Sequence, residues 1–170
     1  MSKLTTCLWF DGQAEQAAEF YTSLFPNSSI DGIERSPGDY PSGREGDVIT
    51  VEFTLDGDHF LGLNGGPDFR FNESISLMID CRDQDEVDRY WDVLTRDGGE
   101  PGQCGWLKDR FGLSWQVVPR RLNELLHRGT DPDASRRAFE AMLEMGRIEI
   151  AKLEEAYGSP GQPEVGAGTR

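Results

Sequence analysis

The chain has 170 residues, with 31 Asp and Glu against 17 Lys and Arg, for a formal net charge of −14. That length suits one domain, or one domain with an appendage, and the acidic balance excludes a phosphate-binding nucleic-acid face or an anionic membrane surface. No apolar run approaches the roughly 18 residues that span a bilayer, and MSKLTTCLWF lacks the charged start, apolar stretch and cleavage site of a secretory signal, so a cytoplasmic location is expected.

Cys7, Cys81 and Cys104 cannot all pair within one chain and lack metal-ligand spacing, which agrees with a reducing compartment. The acidic excess is spread over the first 127 residues and forms no block of like charge, so it reads as solvated surface.

Thr5 to Phe10 is a β-branched and aromatic run, read as a strand, and Asp11-Gly12 turns the chain. Ala14, Ala17, Ala18, Tyr21, Leu24 and Phe25 recur at helical spacing up to Pro26. A strand over 29–35 and a turn-rich loop over 36–46 follow. Next, Ile49, Val51, Phe53 and Leu55 alternate with Thr50, Glu52 and Thr54 as one face of a strand against the other. Asp56-Gly57 is a hairpin turn, and 59–64 is its returning strand.

The pattern then recurs. A strand is expected over Ser74–Asp80 with Ile75, Leu77 and Ile79 on one face, then a helix over 84–96 carrying Val87, Tyr90, Trp91 and Leu94. Strands over 104–108 and 113–118 flank Asp109-Arg-Phe-Gly112, whose D-x-x-G form is a tight hairpin connection. Shifting by 70 residues places Phe20-Tyr21 on Tyr90-Trp91, so strand, helix and further strands occur twice, an internal duplication in an α+β domain. A short helix over 121–126 precedes a long one over 132–157, capped by Thr130 or Asp131 with Pro132 at its first position. As one rod this helix would run about 39 Å, long enough to pack across a second subunit. Gly158 to Arg170 reads as a flexible tail.

LWFDGQAEQAAEFYTSLFPNS, ITVEFTLDGDHFLGLNGGPDFRFNESIS, DEVDRYWDVLTRDGG and CGWLKDRFGLSWQVVP together resemble the PhnB-like branch of the vicinal oxygen chelate superfamily. That superfamily takes in glyoxalases, bleomycin-resistance proteins and extradiol dioxygenases, and this branch often carries the name demethylubiquinone methyltransferase. The resemblance implies two βαβββ modules whose curved sheets enclose a cavity, in a homodimer. It places a domain over 1–127, with modules at about 1–66 and 72–120, a helical extension over 128–157 and the tail beyond.

By position, the metal-ligand slots of the resembling enzymes fall on Thr5 or Thr6, within 60–63, on Ser74 and on Gln116. Hydroxyls and amides are poor ligands for zinc, iron or nickel. Neither His59, after the Asp56-Gly57 turn, nor His127, outside the strands, repairs the set, so no metal and no cofactor is expected. A Gly-rich turn opening a helix for S-adenosylmethionine is also missing.

The cavity face then consists of Thr6, Thr50, Asn64, Ser74, Ser76, Trp106, Ser114 and Gln116, with Glu52 as candidate general base. Three functions follow as expectations. The first is a metal-independent small-molecule binding protein of the bleomycin-resistance kind, its acidity suited to cationic drugs. The second is a lyase, dioxygenase or isomerase, metal-dependent or working through Glu52. The third is a non-catalytic dimer with a helix-mediated contact.

Overall fold

Apolar alternation sets the layers. In the computed structural model, which describes residues 3–159, the chain divides after Asn72 into two compact units. The first unit runs β1 (Thr6–Phe10), α1 (Ala14–Leu24), β2 (Ser29–Arg35), β3 (Val48–Leu55) and β4 (Asp58–Asn64). Its four strands lie in the order β1-β4-β3-β2. The β1–β4 pair is parallel, and β4–β3 and β3–β2 are antiparallel. Val51, Phe53 and Leu55 are buried on the helix side as their alternation requires, and Glu52 between them is exposed.

Helix α1 approaches closely because its inner face is small: Ala14, Ala17 and Ala18 are fully buried. A Cβ on Gly62 would stand 3.2 Å from that of Ala14, so the strand beneath is trimmed to match.

The second unit repeats the order: β5 (Leu77–Cys81), α2 (Gln84–Leu94), β6 (Glu100–Pro101), β7 (Trp106–Lys108) and β8 (Ser114–Pro119). Its sheet runs β5-β8-β7-β6, again with a parallel first pair and antiparallel remainder. The two βαβββ modules expected from the duplication are present, and each sheet is an open four-stranded layer rather than a closed barrel. Helices α3 (Arg120–His127), α4 (Pro132–Leu143) and α5 (Ile150–Gly158) follow the second sheet.

Several boundaries differ from expectation. The strand read over 74–80 starts only at Leu77, because Leu77 pairs with Trp115 and β8 begins one residue earlier at Ser114. Ile75 is 69% exposed rather than sharing a face with Leu77 and Ile79. Cys104 sits in a turn with φ +56°, not on a strand.

The long C-terminal helix is two helices. Between them the carbonyls of Met145 and Gly146 accept from the N–H groups of Cys104 and Gly105, both at 2.7 Å. The Gln84 side chain accepts from Ile150 N at 2.9 Å and donates to Ile148 O at 3.1 Å, and so fixes the start of α5. A continuous helix would spend those backbone groups on itself, so docking onto the turn before β7 breaks it. Arg137 on α4 then donates to the carbonyls of Ala156 and Tyr157, capping the end of α5. The 39 Å rod does not exist, and with it goes the argument that one helix spans a second subunit.

The extension has its own core of Val118, Leu122, Leu125, Ala138, Ile148 and Leu153. The expected tail lies outside the described residues from Pro160 onward. Among the described residues no helix is long and apolar enough to cross a membrane.

Candidate functional site

Strand parity sorts the expected site residues. In the first sheet, Thr6 shares the helix-side face with Leu8 and Phe10, so it is not on the open face. Cys7 and Trp9 are there instead. Glu52 pairs with Leu61 and Thr50 with Leu63, which puts both on that open face. Glu52 is exposed, and its Oε2 lies over Gly32, 3.7 Å from where a Cβ would stand. Thr50 Oγ1 donates to Glu34 Oε2 at 3.4 Å.

Beside them, Thr54 and Ser29 donate to Asp31 at 2.6 and 2.7 Å, and Thr54 shares a hydrogen bond with His59 Nδ1 at 3.0 Å. Those hydroxyls, Thr54 first and Ser29 next, hold the Asp31 carboxyl below its ordinary range. His59 is therefore a surface residue in a hydrogen-bonded chain.

Asn64 is committed elsewhere. Its Oδ1 accepts from Ala14 N at 2.9 Å and its Nδ2 donates to Val48 O at 2.9 Å. Gln13 gives α1 no side-chain cap, so Asn64 supplies the missing acceptor and ties the helix start to β3.

In the second sheet, Trp115 and Val117 pack under α2, and Ser114, Gln116 and Val118 face the other way. Register places Trp106 beside Gln116 and Lys108 beside Ser114. Gln116 Nε2 donates to Ser76 Oγ at 2.8 Å. Ser114 is 1% exposed, and its Oγ has no hydrogen-bond partner among the described residues. Ser74 lies in an exposed turn before β5. Thus Ser76, Trp106, Ser114 and Gln116 come together on one open face, and Ser74 does not join them.

Over that face stand α3 and α4, leaving a groove of about 560 Å³ within the second unit. Met78, Trp106, Gln116 and Val118 form its floor. Leu122 and Leu126 of α3, with Phe139 and Met142 of α4, form its wall. Asn123, His127 and Arg136 stand exposed at its rim. Volume and lining are those of a small-molecule site: mostly apolar, with a few polar groups. The helical wall and Met78 were not in the expected set. The available signal was Met78 itself, an apolar residue on the strand face that alternation reserves for polar ones.

Asp109 has a structural task. Its Oδ1 accepts from Phe111 N and Leu113 N, and its Oδ2 accepts from Trp115 Nε1 at 2.8 Å. The D-x-x-G turn and the buried indole are held by one carboxylate. The thiol of Cys81 is pushed up to about 12, first by burial and then by Glu86, Asp80 and Asp83.

The resemblance raises a metal, and the family name raises a methyl donor. The slots for a metal hold Thr5 or Thr6, an apolar strand segment, Ser74 and Gln116, so they offer only hydroxyls and one neutral amide. Among the described residues, no three His, Cys, Asp or Glu side chains stand together as a ligand set. This donor set does not fit zinc, iron or nickel, and no metal step follows from it. An adenosyl methyl donor fits no better, because the first N–H of α1 is occupied by Asn64 and neither sheet is doubly wound.

Two open-faced βαβββ modules define the class, and comparison with known proteins agrees. Residues 2–118 match the family model described as 3-demethylubiquinone-9 3-methyltransferase. A PhnB protein from Bacillus cereus that bears the same family name is 36% identical, with 69% of this chain and 99% of that chain covered at a TM-score of 0.63. Protein PA1353 from Pseudomonas aeruginosa, 16% identical, shares the fold at a TM-score of 0.57 over 70% of this chain and 98% of its own. A lactoylglutathione lyase from Agrobacterium tumefaciens, 16% identical, aligns over 70% of this chain and 93% of its own, at a TM-score of 0.34 that carries no weight. No curated protein matches. The chain belongs to the 3-demethylubiquinone-9 3-methyltransferase family, to which the PhnB protein from Bacillus cereus is also assigned by name.

Proposed function

We propose that this PhnB-like protein binds a small molecule without a metal, in the groove between the open face of the second sheet and helices α3 and α4. The observation that carries this reading is the 560 Å³ groove whose floor includes Trp106 and Gln116. An indole face, flexible methionines on two sides and one amide on the floor suit a flat, largely apolar ligand. Gln116 is held in place by Ser76, so its carbonyl is presented in one orientation.

Thermal denaturation against a metabolite and drug panel tests the proposal. A ligand at about a hundred times its Kd adds about 2.7 kcal/mol, which raises the midpoint by roughly 5–10 °C in a chain of this size. Trp106→Ala is expected to abolish that shift. A shift that survives the substitution, or no shift across the panel, counts against the groove.

A general-base role for Glu52 is the second reading, favoured by its exposed position on the open face of the first sheet beside Thr50. Glu52→Gln is expected to lower any turnover found with a bound ligand by roughly a hundredfold or more. Wild-type turnover in that variant removes this reading. The homodimer implied by the resemblance is tested by sedimentation of the full chain, where a monomer mass rejects it.

A further inference from the structure

Resting on the groove reading, we infer that the groove's occupant is a flat apolar molecule carrying an anionic group, an aromatic carboxylate or sulfonate in type. The chain carries 31 acids, yet among the described residues none of the side chains lining the groove is Asp or Glu. The net charge of −14 taken alone favours a cationic ligand, but the groove itself reverses that sign. Its polar rim is Asn123 and His127, four residues apart on one face of α3, and Arg136 on α4.

One N–H of the Arg136 guanidinium goes to Asp133 Oδ1 at 2.6 Å. A guanidinium has five donors in a fixed fork, so this bond leaves others to meet an anion. Asp80, two residues past Met78 on β5, is paired with Arg120 at 2.7 Å. A cation lying on the floor would meet Arg136 at the rim and no carboxylate in the lining. An aromatic anion instead sets its rings on Trp106, Met78 and Phe139 and its charge beside Arg136.

The test uses three fluorescent probes of similar ring size: anilinonaphthalene sulfonate as anion, N-phenylnaphthylamine as its neutral counterpart, and proflavine as cation. The anion is expected to bind about three- to tenfold more tightly than the neutral probe, the range for a charge-assisted bond discounted for an exposed rim. The cation is expected to bind most weakly. Arg136→Gln, at an exposed position, should bring the anion down to the neutral probe's affinity and leave the neutral probe unchanged. Asn123→Asp should weaken the anion and strengthen the cation.

Equal binding of anion and neutral probe by the wild-type protein overturns the inference while leaving the groove intact. So does an equal loss of both in Arg136→Gln. If Trp106→Ala, with its fold checked by circular dichroism, weakens none of the three probes, the groove falls as well.

Discussion

The two modules share a topology and differ in how each completes itself. The first has long strands, eight residues in β3 and seven in each of β2 and β4, and its open face mixes Thr50, Glu52, Thr54 and Asp31 with Cys7, Trp9, Leu61 and Leu63. The second has a three-residue β7 and a two-residue β6, and its open face carries Met78, Trp106 and Val118. Apolar surface left open gains from being covered. Helices α3 to α5 supply the cover, and the space left beneath them is the groove. The two modules thus share a scaffold, and the groove on which the binding proposal rests lies in the one that the extension follows.

The strongest test of this contrast removes the support of the cover. Leu153 is fully buried in the extension core. Leu153→Ala is expected to cost about 2–5 kcal/mol, with hydrogen exchange rising over 77–158 and unchanged over 6–64. Equal loss of protection in both stretches would break the comparison.

Next in size are the polar ties that each module uses differently. Asp109→Ala strips three donors, two backbone N–H groups and the Trp115 indole, and should cost roughly 2–4 kcal/mol by urea denaturation. Asn64→Ala in the first module removes a helix-start acceptor and a strand tie and should cost about 1–2 kcal/mol.

Smaller again is a pH effect confined to the first module. The folded-state pKa of Asp31 is depressed, so its contribution is present above the unfolded value of about 3.9 and is lost as pH falls through the folded value. Asp31→Asn should therefore narrow the stability difference between neutral pH and about pH 3, read as thermal midpoints. Last, Cys81 should resist iodoacetamide at about pH 8 in the native protein and react after denaturation, as mass spectrometry would show. Alkylation of native Cys81 would mean that the core of the second module opens.

Much of the fold was legible in the sequence because it is written locally. Val51, Phe53 and Leu55 alternate, the Ala14–Leu24 spacing is helical, and the 70-residue shift exposes the duplication. What escaped depends on distant partners. Residues 74–76 read as strand, but a strand extends only where a neighbour offers pairing, and β8 begins at Ser114. The break between α4 and α5 was invisible because both halves keep an apolar seam. It is imposed by Gln84, 64 and 66 residues away in the chain, and by the turn at Cys104.

The site divides in the same way. Trp106 and Gln116 follow from parity on β7 and β8, whereas the wall made by Leu126, Phe139 and Met142 exists only once the extension has folded back.

That fold-back carries a temporal consequence. The carbonyls of Met145 and Gly146 find their donors only after the turn before β7 has formed, and α5 finds its starting acceptor only on an assembled α2. A ribosome delivers these partners first and the extension last, so a growing chain has a complete first sheet and an uncovered second one. The groove comes into being only after the second sheet is complete, and a chain stalled short of α3 would display Met78, Trp106 and Val118 as bare surface for a chaperone to hold.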